Sequence, residues 1–161
     1  MNLHKKILVC VAVAATFTAS AFAELSRADR HFFEKAAKGG TKEVEISQGA
    51  LMHLTSPEVR NFAQMMVSDH AQTNAELQAL AQQKGVVLPA PDPKVERKWS
   101  DNAKDVEDEY LATMVGEHKD AVDLFEKAAK SDDPDIAAFA QKTLPTLRAH
   151  LATVKQLKKI N

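Results

Sequence analysis

The sequence predicts an all-α protein, a four-helix bundle made of two helical hairpins joined by a long crossover. Three observations carry this. Apolar residues recur at steps of three and four along four separate segments. A hydroxyl or carboxylate residue followed by proline opens the second and fourth segments. Between the second and third, VVLPAPDPK carries three prolines and cannot continue a helix.

Ahead of the first helix, Lys5 and Lys6 precede an uncharged run from Ile7 to Phe22. Ala21-Phe22-Ala23 then offers small residues at the two positions a signal peptidase reads. Residues 1–23 read as a secretory signal peptide cut after Ala23, leaving 24–161 as one domain in the periplasm. Cys10 departs with that segment, and Leu8-Val9 before it does not suit a lipoprotein. The mature chain therefore has no cysteine, which excludes disulfides, thiolate sites and haem attached through cysteine. Without Lys5 and Lys6, the 21 basic residues become 19 against 22 acids, a charge of about −3. A balance this even gives no reason to expect nucleic acid or anionic lipid as partner. No second apolar run approaches the ~20 residues of a membrane span.

Helix one has Ser26 as its N-cap and a stripe of Phe33, Ala37, Gly40, Val44, Ser47, Leu51 and Leu54. Gly39 and Gly40 each cost about 1 kcal/mol relative to alanine in a helix, tolerable where another helix packs closely. Thr55-Ser56-Pro57-Glu58 ends it and caps helix two, whose stripe is Val59, Phe62, Met66, His70, Thr73, Leu77 and Leu80, stopping at Gly85. Helix three starts between Ser100 and Asp105 and shows Leu111, Met114, His118, Ala121, Phe125 and Ala128. After Ser131-Asp132-Asp133-Pro134, helix four shows Ile136, Ala140, Thr143, Leu147, His150, Val154 and Leu157, with Pro145 expected to kink it or break its bonding. Trp99 is expected to pin the connection onto the bundle. Two hairpins with a long connection give the ferritin-like arrangement; an up-down-up-down bundle is the alternative.

Two nine-residue stretches echo each other, FAQMMVSDH (62–70) and YLATMVGEH (110–118), and SPEVRNFAQ (56–64) resembles DPDIAAFAQ (133–141). His70, His118 and His150 each fall on an apolar stripe near mid-helix, so their depths converge in either topology. Glu43 is near the middle of helix one, one residue off its stripe. Met66 and His70 share a face, as do Met114 and His118. Two such faces would suit Cu(I), and adding His150 or Glu43 would suit a harder ion. Asp69 and Glu117 adjoin histidines, and neighbours on a helix point about 100° apart. They are therefore better placed to hold a histidine of another helix than to chelate the same ion. The simpler reading is a polar clasp, Asp69 holding His118 and Glu117 holding His70. No Glu-x-x-His occurs, so the ligand motif of di-iron bundles is absent and redox catalysis is disfavoured.

AAKGGTKEV, FAQMMVSDH, ELQALAQQKGV, YLATMVGEHKDAVDLFEKAA and LPTLRAHL resemble the bacterial exported proteins grouped as domain of unknown function 4142. The likeness spans nearly the whole mature chain, departing at Val106-Glu107, where that family tends to have Phe-Asp. It implies a ferritin-like fold, export and no established enzymatic activity. It also implies an accessory or stress-related protein of the envelope, acting by binding to a protein partner or as a homodimer. The family's outer-membrane label finds no anchor in this sequence. The sharper expectation is a periplasmic metal-binding protein, copper before other transition metals, using His70, His118, His150, Met66, Met114 and Glu43.

Overall fold

The computed structural model describes residues 25–91 and 99–160, and the expected signal peptide and cleavage site lie outside them. Four helices follow: α1 Arg27–Ala50, α2 Pro57–Gln83, α3 Ala103–Ala128 and α4 Pro134–Ile160. Each begins on a residue that satisfies amide groups left free at a helix start. Ser26 Oγ accepts from Asp29 N at 3.0 Å, and Asn102 Oδ1 from Lys104 N at 2.9 Å. Ser56 caps α2 ahead of Pro57, and Asp133 Oδ1 accepts from Asp135 N and Ile136 N ahead of Pro134. At the end of α2, Gly85 adopts φ 68°, and Val86 N donates to Ala81 O at 2.8 Å while Gly85 N donates to Gln82 O. This pair of hydrogen bonds closes the helix and needs a residue free to enter the left-handed region.

Side chains at the bundle ends decide the topology. Glu107, in the second turn of α3, accepts from Thr55 N at 2.9 Å and Ser56 N at 2.7 Å in the α1–α2 turn. Lys84, just past α2, meets Asp133 and Asp135 at 2.7 Å each beside the α3–α4 turn. Ser131 in that turn donates to Asp29 near the start of α1 at 2.6 Å. The start of α3 therefore lies at the opposite end of the bundle from Lys84, and α2 and α3 run in the same direction. α1 packs on α2 and α3, and α4 packs on α3 and α2, so α2 and α3 face each other diagonally. This is the crossover arrangement and not the up-down-up-down alternative. Trp99, half-buried at the far end of the connection, packs against the core beside Gly49, with its ring 6.3 Å from that of His53.

The apolar core forms two clusters. One, toward the α3–α4 turn, gathers Phe32, Phe33, Leu77, Phe125, Ile136, Phe139 and their neighbours. The other, toward the α1–α2 turn, gathers Leu54, Val59, Phe62, Met66, Val106, Tyr110, Leu111, Met114 and Val154. Each fully buried large side chain contributes about 1.5–3 kcal/mol. Val106 and Glu107, the departure from the family pattern, are both buried and belong to the regular start of α3.

Three expectations change. The buried face of α1 runs through Phe33, Ala36, Glu43, Ser47 and Ala50, so Glu43 is on the stripe and Val44 beside it. Gly40 meets the side chain of Asn74 from α2, as close packing requires, whereas Gly39 faces open space. Pro145 sits on the exposed side of α4, which stays one helix through it and loses only the hydrogen bond the proline cannot donate, on the solvent face.

Candidate metal centre

Between the two apolar clusters is one polar layer with a residue from each helix: Glu43, His70, His118 and His150, all buried. The ring centroids of the three histidines stand 5.4 to 5.6 Å apart. One ring nitrogen from each can be chosen so that all three are within 4.8 Å of one another. Helix direction explains the convergence of the echoed stretches. Because α2 and α3 are parallel, equal spacing keeps the two in step. Phe62 packs edge-on to Tyr110 at 6.3 Å, Met66 and Met114 are buried in the same cluster, and His70 lies beside His118.

Two histidines are held from outside the layer. His118 Nδ1 is 3.0 Å from the Met114 carbonyl oxygen, and His150 Nε2 is 3.0 Å from Asp69 Oδ2. A carbonyl or carboxylate oxygen only accepts, so each of these nitrogens carries the proton. The nitrogens left over, His118 Nε2 and His150 Nδ1, face each other at 3.4 Å. In the neutral rings both carry lone pairs. Burial pushes the pKa of both histidines below the ordinary value, against the attraction of Glu43 for His118 and of Asp69 for His150. Adding a proton between them is therefore disfavoured.

The other half of the layer is also incomplete. Glu43 Oε2 approaches His70 Nε2 to 2.8 Å, and Oε1 is 3.9 Å from His118 Nδ1. Yet the close pair does not meet at a hydrogen-bonding angle, and neither atom has a hydrogen-bond partner among the described residues. Burial alone would raise the Glu43 carboxyl; the facing His70, 2.8 Å away, outweighs it and holds the pKa below the usual value. The carboxylate is thus kept charged inside the bundle.

Each facing pair taken alone has the spacing of two donors on one ion, and the three histidine nitrogens are within 4.8 Å of one another. Bonds of about 2.0–2.1 Å put two donors roughly 2.9 Å apart at a right angle and roughly 3.3 Å apart in a tetrahedron. The layer shows 2.8 and 3.4 Å for its two facing pairs. Ligating histidines characteristically donate their other N–H to a carboxylate or backbone carbonyl, the situation of His150 and His118. Imidazole with carboxylate suits Zn, Cu, Fe and Ni.

The expected reciprocal clasp is not what forms. Asp69 holds His150, not His118, and Glu117 pairs with Lys42 of α1 at 2.6 Å, not with His70. An acid turned about 100° from an inward histidine reaches an adjacent helix and not the diagonal one. The neighbours of α2 are α1 and α4, and those of α3 are α1 and α4. The Met114 carbonyl was missed as a histidine holder; its signal is the four-residue step back along the helix. Ser47 and Tyr110, sharing a 2.9 Å hydrogen bond in the buried α1–α3 interface, were missed as a polar pair.

Solved structures share the fold. A fragment of a domain of unknown function, DUF305, from Deinococcus radiodurans aligns with a TM-score of 0.72 at 14% identity, over 86% of this chain and 100% of that one. A conserved hypothetical protein from Mycobacterium tuberculosis aligns with a TM-score of 0.66 at 14% identity, over 83% and 99%. CopM in its Cu(I)-bound form aligns with a TM-score of 0.66 at 17% identity, over 84% and 97%. At these identities the likeness speaks for the fold alone. No curated protein matches the sequence. The family model described as domain of unknown function (DUF4142) matches residues 14–157, nearly the whole chain, and the protein belongs to that family.

Proposed function

We propose that this protein is an exported metal-binding bundle, holding one transition-metal ion, copper first, between His70, His118, His150 and Glu43. The observation that carries the reading is the pair of ring nitrogens, His118 Nε2 and His150 Nδ1, turned on each other at 3.4 Å with their protons committed elsewhere. A cation between them, joined by the orphaned Glu43 Oε2 and His70 Nε2, would satisfy all four atoms at once. CopM, a bundle of the same fold, carries Cu(I), which supports copper as the first ion to try. Met66 and Met114 lie one turn from His70 and His118 and would line the layer from its apolar side.

The signal-peptide pattern of residues 1–23 supports export to the periplasm, and on this reading the protein is an envelope accessory that acts by binding. Metal analysis of protein purified from the periplasm tests it. About one equivalent of copper or zinc per chain is expected, and its loss in His70→Ala/His118→Ala. Saturation at a hundred times Kd should add about 2.7 kcal/mol of stability. No bound metal, together with no thermal shift on adding Cu or Zn, would sink the reading.

A further inference from the structure

We propose that Glu43 biases the centre toward a doubly charged ion over Cu(I), making it the selectivity-determining residue of the layer. The inference rests on the metal-centre reading and adds the charge class of the ion. Imidazole ligates in its neutral form, so with three such rings the buried layer carries one formal negative charge, that of Glu43. Asp69 adds a second at the half-exposed edge, 3.0 Å from His150 Nε2. Lys42, next to Glu43 in the sequence, is engaged by Glu117 at 2.6 Å.

A doubly charged ion cancels both carboxylates; Cu(I) leaves net negative charge in a low-dielectric interior. The donor set leans the same way. A carboxylate is a hard ligand, whereas the thioethers that suit Cu(I) belong to Met66 and Met114, packed in the apolar cluster with Phe62 and Tyr110. The bias follows from charge and holds whether a Glu43 oxygen binds the ion or stands behind His70, since Coulomb attraction scales with ionic charge.

Mature wild-type protein and Glu43→Gln, which keeps the shape and removes the charge, are titrated with Zn(II) and, anaerobically, with Cu(I) against a colorimetric Cu(I) chelator. The variant should lose about 100-fold in Zn(II) affinity but only about 10-fold for Cu(I), the square root, because the attraction is proportional to charge. Glu43→Asp should restore the difference. Equal losses for the two ions, or a larger loss for Cu(I), overturn the proposal while leaving the metal centre standing. Wild-type protein that takes up neither ion overturns both. Circular dichroism accompanies each variant. Should Glu43→Gln not fold, Asp69→Asn removes the second charge from an exposed edge and should show the same order of losses.

Discussion

Two of the buried carboxylates, Glu107 and Glu43, are treated in opposite ways. At the α1–α2 end, Glu107 Oε1 accepts from Thr55 N, Thr55 Oγ1 and Ser56 N, between 2.7 and 3.0 Å. At mid-bundle, Glu43 Oε2 stands 2.8 Å from His70 Nε2 without a hydrogen bond to it, beside two ring nitrogens that face each other. The first group finds every partner within the chain and ties α3 to the start of α2. The second leaves donors and acceptors unmatched at the point where all four helices could have met in leucine. A buried polar group that serves the fold is satisfied by the fold; one that is not points to a ligand.

The strongest way to break that comparison is to replace the layer. Glu43, His70, His118 and His150 changed together to leucine should raise the stability of the metal-free protein by about 1–4 kcal/mol, as replacing buried ionic groups often does. Chemical denaturation measures this. A loss of stability instead would make the layer a structural clasp like Glu107.

Glu107→Ala should do the opposite, costing about 2–3 kcal/mol by orphaning two backbone amides at the start of α2. Its pH dependence sharpens the point. Burial would raise the Glu107 carboxyl, but bonds from Ser56 and Thr55 outweigh it and hold the folded pKa below 4.5. A depressed folded pKa gives stability that is fully present above the unfolded value near 4.5 and is lost as pH falls through the folded value. Wild-type protein should therefore lose stability below about pH 4.5 more steeply than Glu107→Gln, in denaturation midpoints taken across that range.

Asp69→Ala tests the outer edge of the layer. It should weaken metal binding about 10–100-fold while moving metal-free stability by under about 1 kcal/mol, because Asp69 is half-exposed. Isothermal titration and thermal melts separate the two effects.

The smallest expected effect concerns the spacing of α1 on α2, which sets Glu43 against His70. Gly39→Ala should stabilise by up to about 1 kcal/mol through helix propensity alone, since its Cβ meets nothing. Gly40→Ala should lose that gain by pressing on Asn74. Thermal melts of the pair check the sign of each.

Much of the layer is legible in the sequence. His70, His118 and His150 lie on apolar stripes at mid-helix, and periodicity alone puts them at one depth. Glu43 was harder, because Val44 beside it is apolar and draws the stripe toward itself. The small residues at Ala36, Gly40, Ser47 and Ala50 mark the true face, leaving room for the carboxylate and for close helix contact. The two echoes fall at different places in the bundle. Those at 62–70 and 110–118 sit on parallel helices, whereas those at 56–64 and 133–141 start helices at opposite ends of the bundle.

By itself the sequence determined four amphipathic helices, their caps, the long connection and the depth of three histidines. These are local properties, written in three- and four-residue spacing and in the chemistry of helix ends. Only the tertiary structure decided which helices are neighbours, and with that which acid holds which histidine. Periodicity tells a residue whether it faces inward but not whom it faces. The packing of the helices sets α2 and α3 on a diagonal, turning Asp69 toward His150, Glu117 toward Lys42, and the remaining nitrogens of His118 and His150 toward each other.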